Sequence, residues 1–192
     1  MNNRVFIVHG WSGRPDEHWL PWLKQQLEQR GFEVNVPLMS RDDEPVIEKW
    51  VDRLEAVVGN LDEHTYFVGH SIGCQTIMRY LEKHSDKKVG GCVFVAGWFI
   101  LENLEDEETE LVAEPWMKTP IDFSKILKTT QKFSVFISDN DDFGAVEENK
   151  QMFEQKLNAK VIVMHNMGHF TEGDGVTELP QVLDELLEYS HE

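Results

Sequence analysis

A chain of 192 residues, 41% hydrophobic and 28% charged, is long enough to bury one core and is composed like a folded domain rather than a disordered segment. Its formal charge of −17 argues against nucleic acid, whose phosphates need clustered Lys and Arg, and against acidic membrane surfaces. The first apolar run, Val5 to Val8, is too short for a signal segment or a membrane span, and Cys74 and Cys92 form neither a disulfide framework nor a Cys-x-x-Cys pair, so a reducing, cytoplasmic setting is expected.

In chain order, short runs rich in Val, Ile and Phe recur at Val5–Val8, Val34–Val36, Thr65–Val68, Cys92–Ala96, Val135–Ser138 and Val161–Met164. Such runs suit strands buried on both faces, and the amphipathic stretches between them predict a parallel sheet covered by helices. Leu20, Leu23 and Leu27 mark the first helix, and Ile47, Trp50, Val51, Leu54 and Val58 the second. Ile77, Tyr80 and Leu81 mark a third, Val146, Met152, Phe153 and Leu157 another, and Leu183, Leu186 and Leu187 the last. The expectation is one domain over residues 1–192, with an insertion at 98–131 that carries the acidic run Glu102 to Glu114. Leu101, Leu104, Leu111 and Val112 give that insertion an apolar side, and it reads as a short helix and loop placed as a lid.

The chemistry concentrates in Gly69-His70-Ser71-Ile72-Gly73, which follows a strand and opens a helix, the context that gives a G-x-S-x-G run its meaning. The glycines admit a cramped turn that lifts the Ser71 hydroxyl clear of the sheet, at a helix N-terminus that favours developing negative charge. A serine hydroxyl needs a base and a group to orient that base. His169 is the candidate base: it follows the last strand and a glycine, and it comes last in the order nucleophile, acid, histidine. For the acid, the segment after the fifth strand supplies Asp139, Asp141 and Asp142. Asp141, three residues beyond Ser138, is preferred, Asp142 is the runner-up, and the unused acids are expected to cap the following helix near Ala145. The backbone N–H groups of Ile72 and Trp11 are the candidate oxyanion donors, with Gly10 letting the chain turn an amide inward, and His9 reads as a structural hydrogen-bonding residue. Gly10-Trp11-Ser12-Gly13-Arg14 lacks the endings of a phosphate loop, and His165 with His169 lacks a third metal ligand.

Together, Val8-His9-Gly10-Trp11, His18-Trp19-Leu20-Pro21-Trp22-Leu23, Gly69 to Cys74, Ser138 to Asp142 and Gly168-His169-Phe170 resemble the small serine hydrolases of the retinoblastoma-binding protein nine and YdeN-like family, most closely its bacterial YdeN-like branch. The likeness runs nearly end to end, and Trp19 and Trp22 are its most telling marks. It implies a minimal α/β-hydrolase, three-layered, with a six-stranded parallel sheet of order 2-1-3-4-5-6, and the triad Ser71, Asp141 and His169. The Leu-x-Cys-x-Glu motif of the mammalian relative is absent around both cysteines, so its protein partner does not carry over.

The expected activity is hydrolysis of an ester, thioester or small amide through an acyl-enzyme on Ser71, with no cofactor and no metal. The partner is then a small acyl substrate. The alternative is a non-catalytic ligand- or protein-binding module on the same scaffold. No apolar run suggests an obligate interface, so a monomer is expected.

Overall fold

Alternation along the strands sends one set of side chains to each face of the sheet, and both sets are apolar. On β1 (Arg4–Val8), Val5 and Ile7 join one core with Tyr66, Val68, Val93, Val95 and Phe136, while Phe6 and Val8 join the other with Phe67, Cys92, Phe94, Val135 and Ile137. The computed structural model describes residues 2–40, 44–104 and 106–191. Met1 and Glu192, the bounds of the expected domain, and Glu105 of the acidic run lie outside the described residues.

The chain then runs through α1 (Leu20–Glu28), β2 (Glu33–Asn35), α2 (Ile47–Val58), β3 (Thr65–His70), α3 (Ile72–Lys83), β4 (Gly91–Val95), α4 (Glu107–Lys118), α5 (Phe123–Ile126), β5 (Phe133–Ser138), α6 (Val146–Leu157), β6 (Lys160–Met164) and α7 (Pro180–His191). All strand pairs are parallel, in the order β2-β1-β3-β4-β5-β6. Leucines of α1 and α7 fill one core, and α2, α3, α5 and α6 fill the other, which makes the three layers of an α/β-hydrolase. The direction of winding reverses at β1 and β3, so the loops after these two strands diverge and leave a crevice at the carboxyl edge of the sheet. Among the described residues no helix is long and apolar enough to cross a membrane.

The insertion differs from its expected packing. It holds a three-turn helix, α4, and the short α5, and α4 buries Ala113 and Trp116 while Leu111 stands 64% exposed. The reason is Trp116. Its indole donates to the Pro45 carbonyl at 3.0 Å and meets Trp50 edge-on, an anchor that outweighs the smaller leucine face.

The contact between α3 and β1 depends on Gly73, where a Cβ would lie 2.3 Å from the Val8 carbonyl oxygen and 2.8 Å from that of His9. Both obstacles are backbone atoms, at the end of the interior strand β1 and just after it, which cannot swing aside. Gly73→Ala should therefore lower stability by about 3 kcal/mol, read as a fall in the urea unfolding midpoint at unchanged m-value.

Candidate active site

Ser71 sits between β3 and α3 with φ 54° and ψ −123°, a conformation costly for any residue with a Cβ. The turn survives because its neighbours allow close approach: a Cβ on Gly69 would fall 2.7 Å from the Cys74 nitrogen. Although Ser71 occupies the N-cap position of α3, its side chain makes no capping bond, so the hydroxyl is not consumed by holding the helix. Among the described residues the partner of that hydroxyl is the Trp98 indole, which donates to Oγ at 3.2 Å, rather than His169.

Ser138, the last residue of β5, and the three residues after it reach across to the loop after β6. Ser138 Oγ accepts from Met167 N–H at 2.9 Å, Asp139 Oδ1 from Asn166 N–H at 2.9 Å, and Asn140 Oδ1 from Gly168 N–H at 2.9 Å. Asp141 Oδ2 meets His169 Nδ1 at 2.8 Å, with both side chains largely buried. Asp141 is thus the acid that meets His169, and the bond directs the imidazole proton to Nδ1, leaving Nε2 as the basic nitrogen. Asp142 is exposed at the cavity rim. The expected helix capping by the unused acids is not found: α6 begins without a side-chain cap, and the Ala145 N–H is received by Glu102 Oε2 at 3.2 Å. Asp139 instead pairs with His165 Nδ1 at 2.6 Å, and the Asn166 N–H together with His165 holds its carboxyl below the usual range.

The His169 loop is held from two further sides. Asp174 Oδ2 accepts from the N–H groups of His169 and Thr171 and from the Thr171 hydroxyl. On the other side His70, the residue before the serine, donates from Nε2 to the His169 carbonyl at 2.9 Å and lies between the rings of His18 and His169. Trp19 packs edge-on against His70 at 5.9 Å, which gives this tryptophan a place in the site's support. Burial, reinforced by the neighbouring His169, pushes the His70 pKa down to about 3. His70 is therefore neutral, and a neutral ring with its proton on Nε2 is what the carbonyl requires. The sequence pattern points to neither role, since His70 and Trp98 are linked to the site through space rather than by spacing.

On the remaining side, β1 is followed by His9-Gly10-Trp11. His9 donates from Nδ1 to the Gly10 carbonyl at 2.7 Å and accepts from Met39 N–H at Nε2, so both ring nitrogens serve the loop. The Gly10 carbonyl also receives Gly13 N–H at 3.1 Å, closing the turn that carries Trp11. Ile72 opens α3, where a first-turn N–H has no carbonyl within its own helix. Ser71, His169, Trp11 and Trp98 line one cavity of about 710 Å³, which Leu101, Leu104 and Val112 of the insertion and Phe143 also border. Cys74, buried below the elbow, is a packing residue whose thiol burial pushes up in pKa. Among the described residues no cluster of side chains could hold a metal ion.

The serine hydrolase family profile matches residues 5–188. YdeN of Bacillus subtilis (strain 168), which bears a hydrolase's name, is 31% identical over 190 residues, covering 98% of this chain and 97% of that protein. The serine hydrolase RBBP9 of Rattus norvegicus is 27% identical over 184 residues, covering 94% and 88%. The crystal structure of the B. subtilis ydeN gene product superposes with a TM-score of 0.90 at 30% identity, covering all of both chains. Est1E from Butyrivibrio proteoclasticus shares the fold, with a TM-score of 0.75 at 17% identity over 100% of this chain and 89% of that one.

His70 makes stability depend on pH. An unfolded histidine titrates near about pH 6.5, whereas the folded ring stays neutral down to about 3. Below the higher value the unfolded chain takes up a proton that the fold refuses, so stability falls as pH drops through this window. From pH 7 to pH 5 the contribution is about 2 kcal/mol. In urea unfolding at both pH values, His70→Asn should lose less stability on acidification than wild type, by about that amount.

Proposed function

The chain belongs to the serine hydrolase family, and we propose that it cleaves an ester, thioester or small amide through an acyl-enzyme on Ser71. The observation that carries this reading is the 2.8 Å Asp141–His169 pair, whose histidine lines the same cavity as a serine held at positive φ with its hydroxyl free of the helix.

Substrate entering the cavity brings its carbonyl carbon to Ser71 Oγ, and the Ser71–His169 hydrogen bond forms as the site closes on it. Oγ attacks the carbonyl while His169 Nε2 takes the hydroxyl proton, and Asp141 stabilises the imidazolium through Nδ1–H. The oxyanion accepts from the N–H groups of Ile72 and Trp11. Collapse breaks the bond to the alcohol, thiol or amine, which leaves with the proton from His169. Water then repeats the sequence: its oxygen bonds to the acyl carbon, its proton passes to His169, and Oγ departs with that proton as the acid is released. The insertion at 98–131 supplies a wall of the cavity and, on this reading, the lid over the acyl group.

Labelling by a fluorophosphonate probe, followed by intact mass, tests the assignment. Wild type should gain one adduct, and Ser71→Ala and heat-denatured protein none; a wild type that fails to label would turn the reading toward a binding module. Asp141→Asn should keep the fold and lower kcat by about 10⁴-fold, because the imidazole then takes the wrong tautomer.

Charge around the cavity bears on the substrate. Asp106, Glu108, Asp142 and Asp174 line it, and among the described lining residues there is no Lys or Arg. An acyl group carrying a carboxylate meets like charge at the mouth. Acetyl and butyryl aryl esters should show kcat/KM about tenfold above the corresponding succinyl ester at low salt, with the gap narrowing as salt is added.

A further inference from the structure

The indole N–H of Trp98 is fixed on the nucleophile by a rigid mount. After β4 the chain turns at Ala96 with φ 48°, and Gly97 fits where a Cβ would lie 2.8 Å from the Phe153 ring. The Trp98 carbonyl then accepts from Gln75 Nε2 at 3.1 Å, and Asn149 grips the next two residues, accepting from Phe99 and Ile100 N–H and donating to the Ile100 carbonyl. Gln75, Asn149 and Trp98 are all buried, so the indole cannot drift without breaking bonds that water does not replace. Gln75 is in turn held by Arg79, whose Nη2 also donates to the Trp116 and Thr119 carbonyls at the end of α4. A continuous buried network thus runs from the nucleophile to the insertion.

We propose that Trp98 is a catalytic residue that favours release of the acyl group from Ser71, an inference that rests on the acyl-enzyme reading above. In the free enzyme Oγ is a hydroxyl oxygen and accepts the indole N–H at 3.2 Å. In the acyl-enzyme the same oxygen belongs to an ester, a much weaker acceptor, and a buried N–H is left poorly paired, which raises that intermediate. When the tetrahedral intermediate of deacylation collapses, the C–Oγ bond breaks, its electron pair returns to Oγ, and His169 delivers the proton. The indole bond is restored in the same step. For acylation the bond is present at the start and weakens as Oγ forms its new bond, so Trp98 gives that half-reaction no comparable help. The donor acts on the two halves of the cycle unequally, and a residue that merely filled space would not.

The test is pre-steady-state hydrolysis of p-nitrophenyl acetate by wild type and Trp98→Phe, with acetyl-enzyme followed by intact mass and a fluorophosphonate labelling rate as the measure of nucleophile reactivity. The variant should deacylate about tenfold more slowly, the worth of one well-placed hydrogen bond, show a larger burst and accumulate acetyl-enzyme, while the labelling rate does not fall. Equal losses in labelling and deacylation, or no change in either, would overturn the proposal. If Trp98→Phe does not fold, β-(3-benzothienyl)alanine in place of Trp98 keeps the bicyclic shape without the N–H and gives the same readout. A wild type that is neither acetylated nor labelled would remove the acyl-enzyme reading itself, an outcome distinct from a wild type that reacts and a variant that matches it.

Discussion

Ser71 is held at φ 54° by a turn so tight that the residues at the two ends of its motif have no space for a side chain. Gly73 lets α3 press its first turn onto the Val8 carbonyl, and Gly69 lets β3 pass the Cys74 backbone. A non-glycine residue in this region costs about 1–3 kcal/mol, and the surrounding sheet must supply it. It does so because the turn follows β3, one of the two central strands, which is flanked by β1 and β4 and buried at every residue. The Ser71 N–H also donates to the Val95 carbonyl at 2.9 Å, tying the elbow to β4. The orientation of the hydroxyl is therefore a property of the core, and the loops are arranged around it.

The histidine side of the site uses another device. The loop after β6 lies at an edge strand, and part of β6 is exposed, so burial alone would not hold it. Ser138, Asp139, Asn140 and Asp141 accept hydrogen bonds from residues 166–169 of that loop, which replaces packing with polar contacts. Asp174 closes the loop on itself, and its carboxyl stays below the usual pKa range: burial pushes it up, and the bonds from Thr171 and His169 more than offset that. His70 then links the two halves, since it belongs to the elbow by sequence and bonds to the His169 carbonyl in space.

The insertion is fastened at one end. Trp116 and Arg79 hold the C-terminal end of α4 against the core, whereas its N-terminal end, capped by Asp106 on the Thr109 N–H, borders the cavity. The same chain segment begins at Trp98, beside Ser71. One insertion accordingly supplies a wall of the cavity and a contact to the Ser71 hydroxyl, and the two are joined through Gln75 and Arg79.

Local pattern alone determined much of this protein. Six apolar runs and the helical spacing between them made the parallel sheet legible, because period 2 and period 3.6 are written in neighbouring residues. The strand, turn and helix around Ser71 were legible for the same reason, and so was the place of His169 after the last strand. The observed strand β2, Glu33–Asn35, is offset by one residue from the apolar run Val34–Val36, since an edge strand ends where its pairing ends and not where its hydrophobicity does. The rest depended on contacts between distant parts of the chain. Three aspartates stood within four positions, and only the pairing of the β5 and β6 loops brings Asp141 to His169 while turning Asp139 to His165. Trp116, not Leu111, carries α4, because an indole can both fill a gap and reach the Pro45 carbonyl. Spacing along the chain carries no record of where a buried N–H finds its acceptor, and so the tertiary structure alone decided that Trp98 meets Ser71 and His70 supports His169.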